Sequence, residues 1–430
     1  MALDIKNPSF QEYTKIYSTI EENFLNQVKA SEIEISQSSE PDLEKKLWAL
    51  QQKGATFRNE GKSIYVNWLS PACEACKKGV GSVTTYISLM CHRNCYYCFN
   101  PNQEDYHHYQ GHRRDYLTEI EQLYCSGQKI THCALTGGEP LLHKEDTIAF
   151  FRSFREKFPS THTRLYTSGD LLDEEILQEL KKTGLNEIRF SIKLEDGAEY
   201  KKILEKISMA IECIPDVMVE MPVIPGTLSE MKELLLELDK LGVSGINLLE
   251  FCFPFSNVEE FKKRSFTIKN PPYKVLYNYW YAGGLPVSGS ETECLDLLEF
   301  ALDNKLSLGV HYCSLENKHT GQIYQQNHNQ SISDLTYFSP RDYFLKTAKV
   351  FGDDISKVLK KFEKKNITRY SINNDHNFLE FNVKDIPKLK NMDLEIGLSS
   401  SIIETREGEK CLRELMIDLV HPETFDFKLV

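Results

Sequence analysis

The sequence predicts an α/β protein with a long strand–helix alternation at its centre. Apolar, β-rich runs recur at 83–90, 130–135, 163–167, 187–192, 217–223 and 245–250. Helical stretches near 115–126, 145–157, 171–183, 197–213 and 228–241 separate them. Alternation of this kind implies parallel strands joined by right-handed crossovers, in an open doubly wound sheet or a partial barrel. Either arrangement puts functional residues at the C-terminal ends of the strands.

The flanking segments are predicted in chain order. Residues 9–55 read as polar-rich helix with a break at SQSSEPD (36–42), where Ser39 or Asp42 is offered as a cap. Ser63–Trp68 (SIYVNW) reads as a short strand, and Pro71, Gly79 and Gly81 mark irregular backbone after it. The segment 228–241 spaces its leucines on one helical face and stops at Gly242. Residues 271–340 are rich in Tyr, Asn, Gln and Ser, with few clear elements. Residues 341–430 read as a small α+β unit: helix 342–365, strands near 367–372, 376–382 and 393–404, and a short helix at 408–418. Four regions follow: an N-terminal extension (1–80), the alternating region (81–256), a polar covering segment (257–340) and the α+β tail (341–430).

Composition narrows the function. With 51 Lys+Arg against 63 Asp+Glu, the net charge is −12, which disfavours broad nucleic-acid or anionic-membrane binding. The Lys-rich stretch 357–365 therefore reads as an amphipathic helix rather than a basic patch. The longest apolar stretch, Ile246 to Phe255, is interrupted by Glu250 and is far short of the ~18–20 residues a membrane span needs. The start, MALDIKNPSFQEY, has no basic and apolar signal pattern, which predicts a cytoplasmic chain. Of twelve cysteines, five fall between Cys73 and Cys98, and that clustering points to metal or redox chemistry rather than disulfides.

The sharpest motif is Cys91-His92-Arg93-Asn94-Cys95-Tyr96-Tyr97-Cys98, directly after the first strand of the alternating region. Three thiolates on one short loop can bind three irons of a cubane cluster, leaving the fourth open to another ligand. Taken alone, the triplet also suits a zinc knuckle with a distant fourth ligand. Thr136-Gly137-Gly138-Glu139-Pro140 follows the second strand, Tyr166-Thr167-Ser168-Gly169 the third, Ser191-Ile192-Lys193 the fourth, and Glu220 to Pro225 the fifth.

This combination, over roughly residues 83–253, resembles the radical S-adenosylmethionine (SAM) superfamily. The resemblance implies a partial (β/α)6 barrel and a [4Fe–4S] cluster on Cys91, Cys95 and Cys98. It also implies reductive cleavage of SAM to a 5′-deoxyadenosyl radical, and a reductant such as flavodoxin or ferredoxin. Gly137 and Gly138, lacking Cβ, would let backbone approach the methionine part of SAM, whose ammonium their peptide groups or Glu139 would bind. Ser168 and Ser191 are candidates for its ribose or carboxylate, or for helix caps, and Phe99 for its adenine.

A second pair, Cys73 and Cys76, chelates one metal and leaves two positions to fill. Cys313, with Cys252 or Cys294, is expected to complete a site for an auxiliary iron–sulfur cluster, an iron or a zinc. Polar loops at 100–109 and 277–326 suit a peptide or polar small molecule. The expected function is hydrogen abstraction from a peptide or protein side chain. Its rivals are a small-metabolite enzyme, a glycyl-radical activase and a non-enzymatic iron–sulfur or zinc protein. No Asp-x-His-x-x-Gly cobalamin segment is present.

Overall fold

The computed structural model describes residues 4–37, 42–277, 283–330 and 333–430. Ser39 and part of the 277–291 stretch lie outside the described residues. The chain forms two compact units. One comprises Ser31–Tyr273 and Asn278–His319; the other comprises Met1–Ala30, Lys274–Tyr277 and Thr320–Val430.

The larger unit is built on a nine-stranded sheet. Its strands are β1 (Thr56–Arg58), β2 (Ser63–Val66), β3 (Ser82–Tyr86), β4 (His132–Thr136), β5 (His162–Thr167), β6 (Glu187–Phe190), β7 (Asp216–Val223), β8 (Gly245–Glu250) and β9 (Gly309–Cys313). Their spatial order is β1-β2-β9-β8-β7-β6-β5-β4-β3. Strands β3 to β8 pair in parallel with their sequence neighbours, the six strand–helix repeats expected of a partial barrel. Strand β9 extends the parallel set beside β8, and β2 closes that edge antiparallel to β9.

Period-two alternation divides the sheet into two faces. Cys133, Leu135, Leu165, Ile188, Phe190, Val217, Val219, Ile246, Leu248, Val310 and Tyr312 form the core face. Against them pack Phe150, Phe151 and Phe154 of helix Lys144–Lys157 and Leu234, Leu235 and Leu238 of helix Leu228–Leu241. Burying each such side chain stabilises by about 1.5–3 kcal/mol. Cys294 belongs to this core, fully buried on helix Ser290–Asp303 among leucines.

Residues 257–340 hold more structure than their polar composition suggests. Helix Ser290–Asp303 packs on the sheet and β9 lies within it. Asp42 precedes helix Leu43–Gln52 in the left-handed region (φ 68°) and makes no side-chain cap.

The smaller unit is an antiparallel sheet of Tyr370–Asn373, Phe378–Phe381, Leu345–Phe351, Ile396–Arg406 and Glu409–Val420, with Tyr337–Phe338 alongside Leu345–Phe351. Two sequence expectations change here. The expected helix 342–365 is strand Leu345–Phe351 followed by helix Asp354–Lys364. Every residue of that strand is buried, because Lys346 pairs with Asp342 and Lys349 with Glu414 inside the fold. Two charged residues had broken the strand pattern. The expected helix 408–418 is strand Glu409–Val420, turned back by Glu407 and Gly408, both at positive φ (51° and 85°). Two positive-φ residues make a tight hairpin whose twist matches the strands it joins.

Candidate functional site

The three cysteines of the sharp motif lie on the loop leaving β3. Cys91 is exposed, and Cys95 and Cys98 are half-buried. The Cys98 N–H donates to the Cys95 carbonyl (3.0 Å), and the Arg93 N–H donates to Cys91 Sγ (3.4 Å). The Lys193 ammonium, three residues beyond β6, donates to Cys95 Sγ. His92 Nε2 meets Asp170 Oδ2 at 2.8 Å, Arg93 Nε donates to the same oxygen (2.7 Å), and Arg93 also pairs with Asp196. Burial opposes but does not prevent a lowered Asp170 carboxyl, because Arg93 and His92 hold it well below the usual range. The loop is thus tied to the C-terminal ends of β5 and β6. Three thiols with a cation and a backbone N–H aimed at their sulfurs suit a metal–sulfur cluster, since each donor favours thiolate.

The Gly-Gly-Glu segment packs against the backbone that enters the cysteine loop. A Cβ on Gly138 would stand 1.9 Å from the Met90 carbonyl oxygen, and one on Gly137 would stand 2.6 Å from the Ser88 oxygen. The space the glycines leave is filled by the backbone that leads into the cysteine loop. The Gly138 N–H donates to Ser88 O (3.2 Å) and the Glu139 N–H to Met90 O (2.8 Å). Asn100 Nδ2 donates to the Gly137 carbonyl (2.7 Å), closing the loop from its other end.

Glu139 is buried and its carboxylate is fully used. Oε1 accepts from the Leu141 N–H (3.0 Å) and Thr167 Oγ1 (2.8 Å), and Oε2 from the N–H and hydroxyl of Ser168 (2.7 Å each). Glu139 and Ser168 therefore clamp β4 to β5 rather than reaching outward. Ser191 keeps more freedom, with an exposed side chain in a single long contact to the Glu220 carbonyl (3.4 Å). Phe99 is 44% exposed, with the Lys318 ammonium 5.3 Å from its ring centre.

The inner face of the sheet carries a polar row absent from the sequence reading. Arg189 of β6 pairs with Glu187 and with Glu220 of β7. Asn247 of β8 donates to Glu220 Oε2 (2.6 Å), and its Oδ1 accepts from His311 Nδ1 of β9 (2.8 Å), whose Nε2 meets Ser63 Oγ of β2 (2.9 Å). Burial pushes His311 down to about 3, so the ring is neutral. At the end of β8, burial pushes the Glu250 carboxyl up to about 7 against the pull of Lys269. The available signal was polar residues at every second strand position, between the apolar ones.

Cys73 lies within this row's reach, with Asn247 Nδ2 at 3.3 Å and Arg189 at 3.4 Å from its sulfur. Burial pushes the Cys313 thiol up to about 12, and the charges of Cys76 and Cys73 add to the rise. Asn317 Nδ2 donates to Cys313 Sγ (3.3 Å). Cys252 is buried; its thiol rises to about 11 through burial, with Lys318, Glu250 and Cys98 of the first loop as charged neighbours.

Residues 85–238 match the family model described as the Radical SAM superfamily. A curated Methanocaldococcus jannaschii protein, provisionally named glycyl-radical enzyme activating enzyme MJ0021, is 29% identical over 256 residues, covering 57% of this chain and 63% of its own length. The chain therefore spans less than two thirds of that relative. Among solved structures, Streptococcus suis SuiB bound to precursor peptide SuiA matches at 13% identity and a TM-score of 0.40, over 77% of this chain and 69% of that one. Native anSMEcpe with bound AdoMet matches at 15% identity and a TM-score of 0.38, over 53% and 63% of the two chains.

Proposed function

Residues 85–238 are a radical SAM domain, and from that premise we propose that the chain is a radical SAM enzyme acting on a peptide or protein. The observation that carries the reading is the Cys91–Cys95–Cys98 loop, tied to β5 and β6 with the Lys193 ammonium on Cys95. Cys91, Cys95 and Cys98 hold a [4Fe–4S] cluster whose fourth iron is left for SAM. Together these groups supply reductive cleavage of the sulfonium and hydrogen abstraction from a substrate.

The chain's own residues prepare that chemistry. Gly137 and Gly138 seat the loop backbone, and Glu139 with Ser168 fixes the strand ends beneath it. Ser191 and Phe99, both exposed, would meet the polar and adenine parts of SAM. The row Arg189, Glu220, Asn247 and His311 offers fixed donors and acceptors to a polar substrate inside the sheet. The electron comes from a flavodoxin- or ferredoxin-like donor, in a reducing compartment such as the cytoplasm. Among the described residues, no helix is long and apolar enough to cross a membrane.

A second metal is proposed on Cys73, Cys76 and Cys313, as an auxiliary iron–sulfur cluster, an iron or a zinc, supported by the mutual influence of the three sulfurs. Cys252 as the fourth ligand has less support, given its neighbour Cys98. A narrower reading of the substrate, a glycyl radical enzyme, is favoured by the name of the Methanocaldococcus jannaschii relative.

The test is anaerobic reconstitution with iron and sulfide, then dithionite and SAM, with 5′-deoxyadenosine measured by chromatography. The wild type is expected to form it and Cys95→Ala to form none. An iron-loaded, SAM-binding wild type that forms none would contradict the reading. Incubation with a candidate glycyl radical enzyme, read as a glycyl radical doublet by EPR, separates the narrower substrate.

A further inference from the structure

At the opposite end of the sheet from the cysteine loop, three strands begin with metal-ligating residues. His162 opens β5, Glu187 opens β6 and Asp216 opens β7. One ligand atom of each lies within 4.8 Å of the other two. We infer that His162, Glu187 and Asp216 form a divalent-cation site of mixed nitrogen and oxygen donors, suited to zinc, at the N-terminal ends of these strands.

Four observations carry the inference. First, both ring nitrogens of His162 are buried and neither has a hydrogen-bond partner. Leaving a buried polar atom unpaired costs about 1–3 kcal/mol, so such atoms usually have a partner or a ligand. Second, His162 Nε2 stands 3.7 Å from Glu187 Oε2. That is too long for a hydrogen bond. Two atoms bound to one tetrahedral zinc at its usual bond lengths are about 3.3 Å apart, so the observed gap needs only a small closure.

Third, Glu187 is held as a ligating carboxylate is held: Ser70 Oγ donates to Oε2 (2.6 Å) and Arg189 pairs with Oε1. Partners of this kind orient a ligand and leave it lone pairs for the metal. Fourth, among the described residues the Asp216 side chain has no hydrogen bond or ion pair, although one of its carboxylate oxygens lies within 4.8 Å of one of Glu187. A cation between the two carboxylates would balance their charge.

The surrounding charges permit an added cation. Arg164 and Arg189 both approach His162. Arg189 is already taken by Glu187 and Glu220, and Arg164 donates to the Tyr166 hydroxyl (3.3 Å). The carboxylates Glu187, Asp216 and Glu220 outnumber those two guanidiniums. His132 supplies a further ring 5.5 Å from that of His162, with its Nδ1 on Thr131 Oγ1 (3.0 Å).

The test is equilibrium dialysis of the anaerobic, cluster-loaded full chain against micromolar zinc, with zinc and iron counted in the same samples. The wild type is expected to carry one more zinc per chain than His162→Ala, and Asp216→Asn to bind that zinc at least tenfold more weakly, with iron unchanged in all three. The wild type should also gain more in melting temperature than His162→Ala as zinc is raised. Because zinc on thiols would be the same in wild type and variants, equal zinc counts in the wild type and both variants would overturn the site. If His162→Ala fails to fold, Asp216→Asn alone decides: zinc bound as tightly as by the wild type overturns the site.

Discussion

Ser168 gives both its N–H and its hydroxyl to one carboxylate oxygen of Glu139, at 2.7 Å each. This contact joins the C-terminal ends of β4 and β5 directly below the cysteine loop, because the next donor along, the Glu139 N–H, reaches the Met90 carbonyl. The strand ends and the loop are a single hydrogen-bonded unit.

Removing the Glu139 carboxylate should therefore cost stability as well as iron. Glu139→Ala strands the Ser168 and Thr167 donors in a buried setting, at about 1–3 kcal/mol for each group left unsatisfied. Denaturant unfolding is expected to show a loss of at least about 2 kcal/mol. Ser168→Ala removes one hydroxyl bond and should cost about 1 kcal/mol.

Gly138→Ala should be more disruptive than its size suggests. The added methyl would stand 1.9 Å from Met90 O, so the backbone entering the cysteine loop must shift. Iron per chain after reconstitution is expected to fall by half or more. Gly111→Ala is the matched control: no atom lies within 4 Å of its Cβ position, and iron content should match the wild type.

Lys193→Met should retain iron and shift the cluster's reduction potential to a more negative value. The ammonium at Cys95 Sγ favours the more negatively charged, reduced cluster, so its loss disfavours reduction. A redox titration followed by EPR reads the shift, and Lys193→Arg should recover most of it.

His311 should impose an acid-side stability loss. Its folded value of about 3 lies below the ~6.5 of an unfolded chain, so the unfolded state binds the extra proton between those values. The neutral ring's contribution is whole above the unfolded value and is lost as pH falls toward the folded one. Between pH 6 and 4, unfolding free energy should drop more steeply in the wild type than in His311→Gln, by up to about 1.4 kcal/mol per pH unit.

Cys73→Ala combined with Cys76→Ala should lower total iron plus zinc per chain while leaving the iron of the Cys91 loop. Unchanged totals would remove the second metal site.

The alternating centre was legible because its strand cores are apolar at every second position, as at Ile188 and Phe190 or Ile246 and Leu248, and its helices space their leucines on one face. The cysteine loop was legible because its chemistry is concentrated in eight consecutive residues. The rest depended on partners distant in sequence. Strand Leu345–Phe351 hides two lysines that only Asp342 and Glu414 make tolerable. The partners that fill the Glu139 oxygens, Thr167 and Ser168, lie 28 and 29 residues away. The roles of Asp170 and Lys193 arise from strand ends meeting the loop, which no local pattern records.

The central claim is that Cys91, Cys95 and Cys98 hold a cluster with one iron open to SAM. EPR of the dithionite-reduced, anaerobically reconstituted chain tests it directly. A reduced-cluster signal whose line shape changes when SAM is added is expected, with no SAM-responsive signal in Cys95→Ala. A wild-type signal that SAM leaves unchanged, or a SAM-responsive signal that survives in Cys95→Ala, would contradict it.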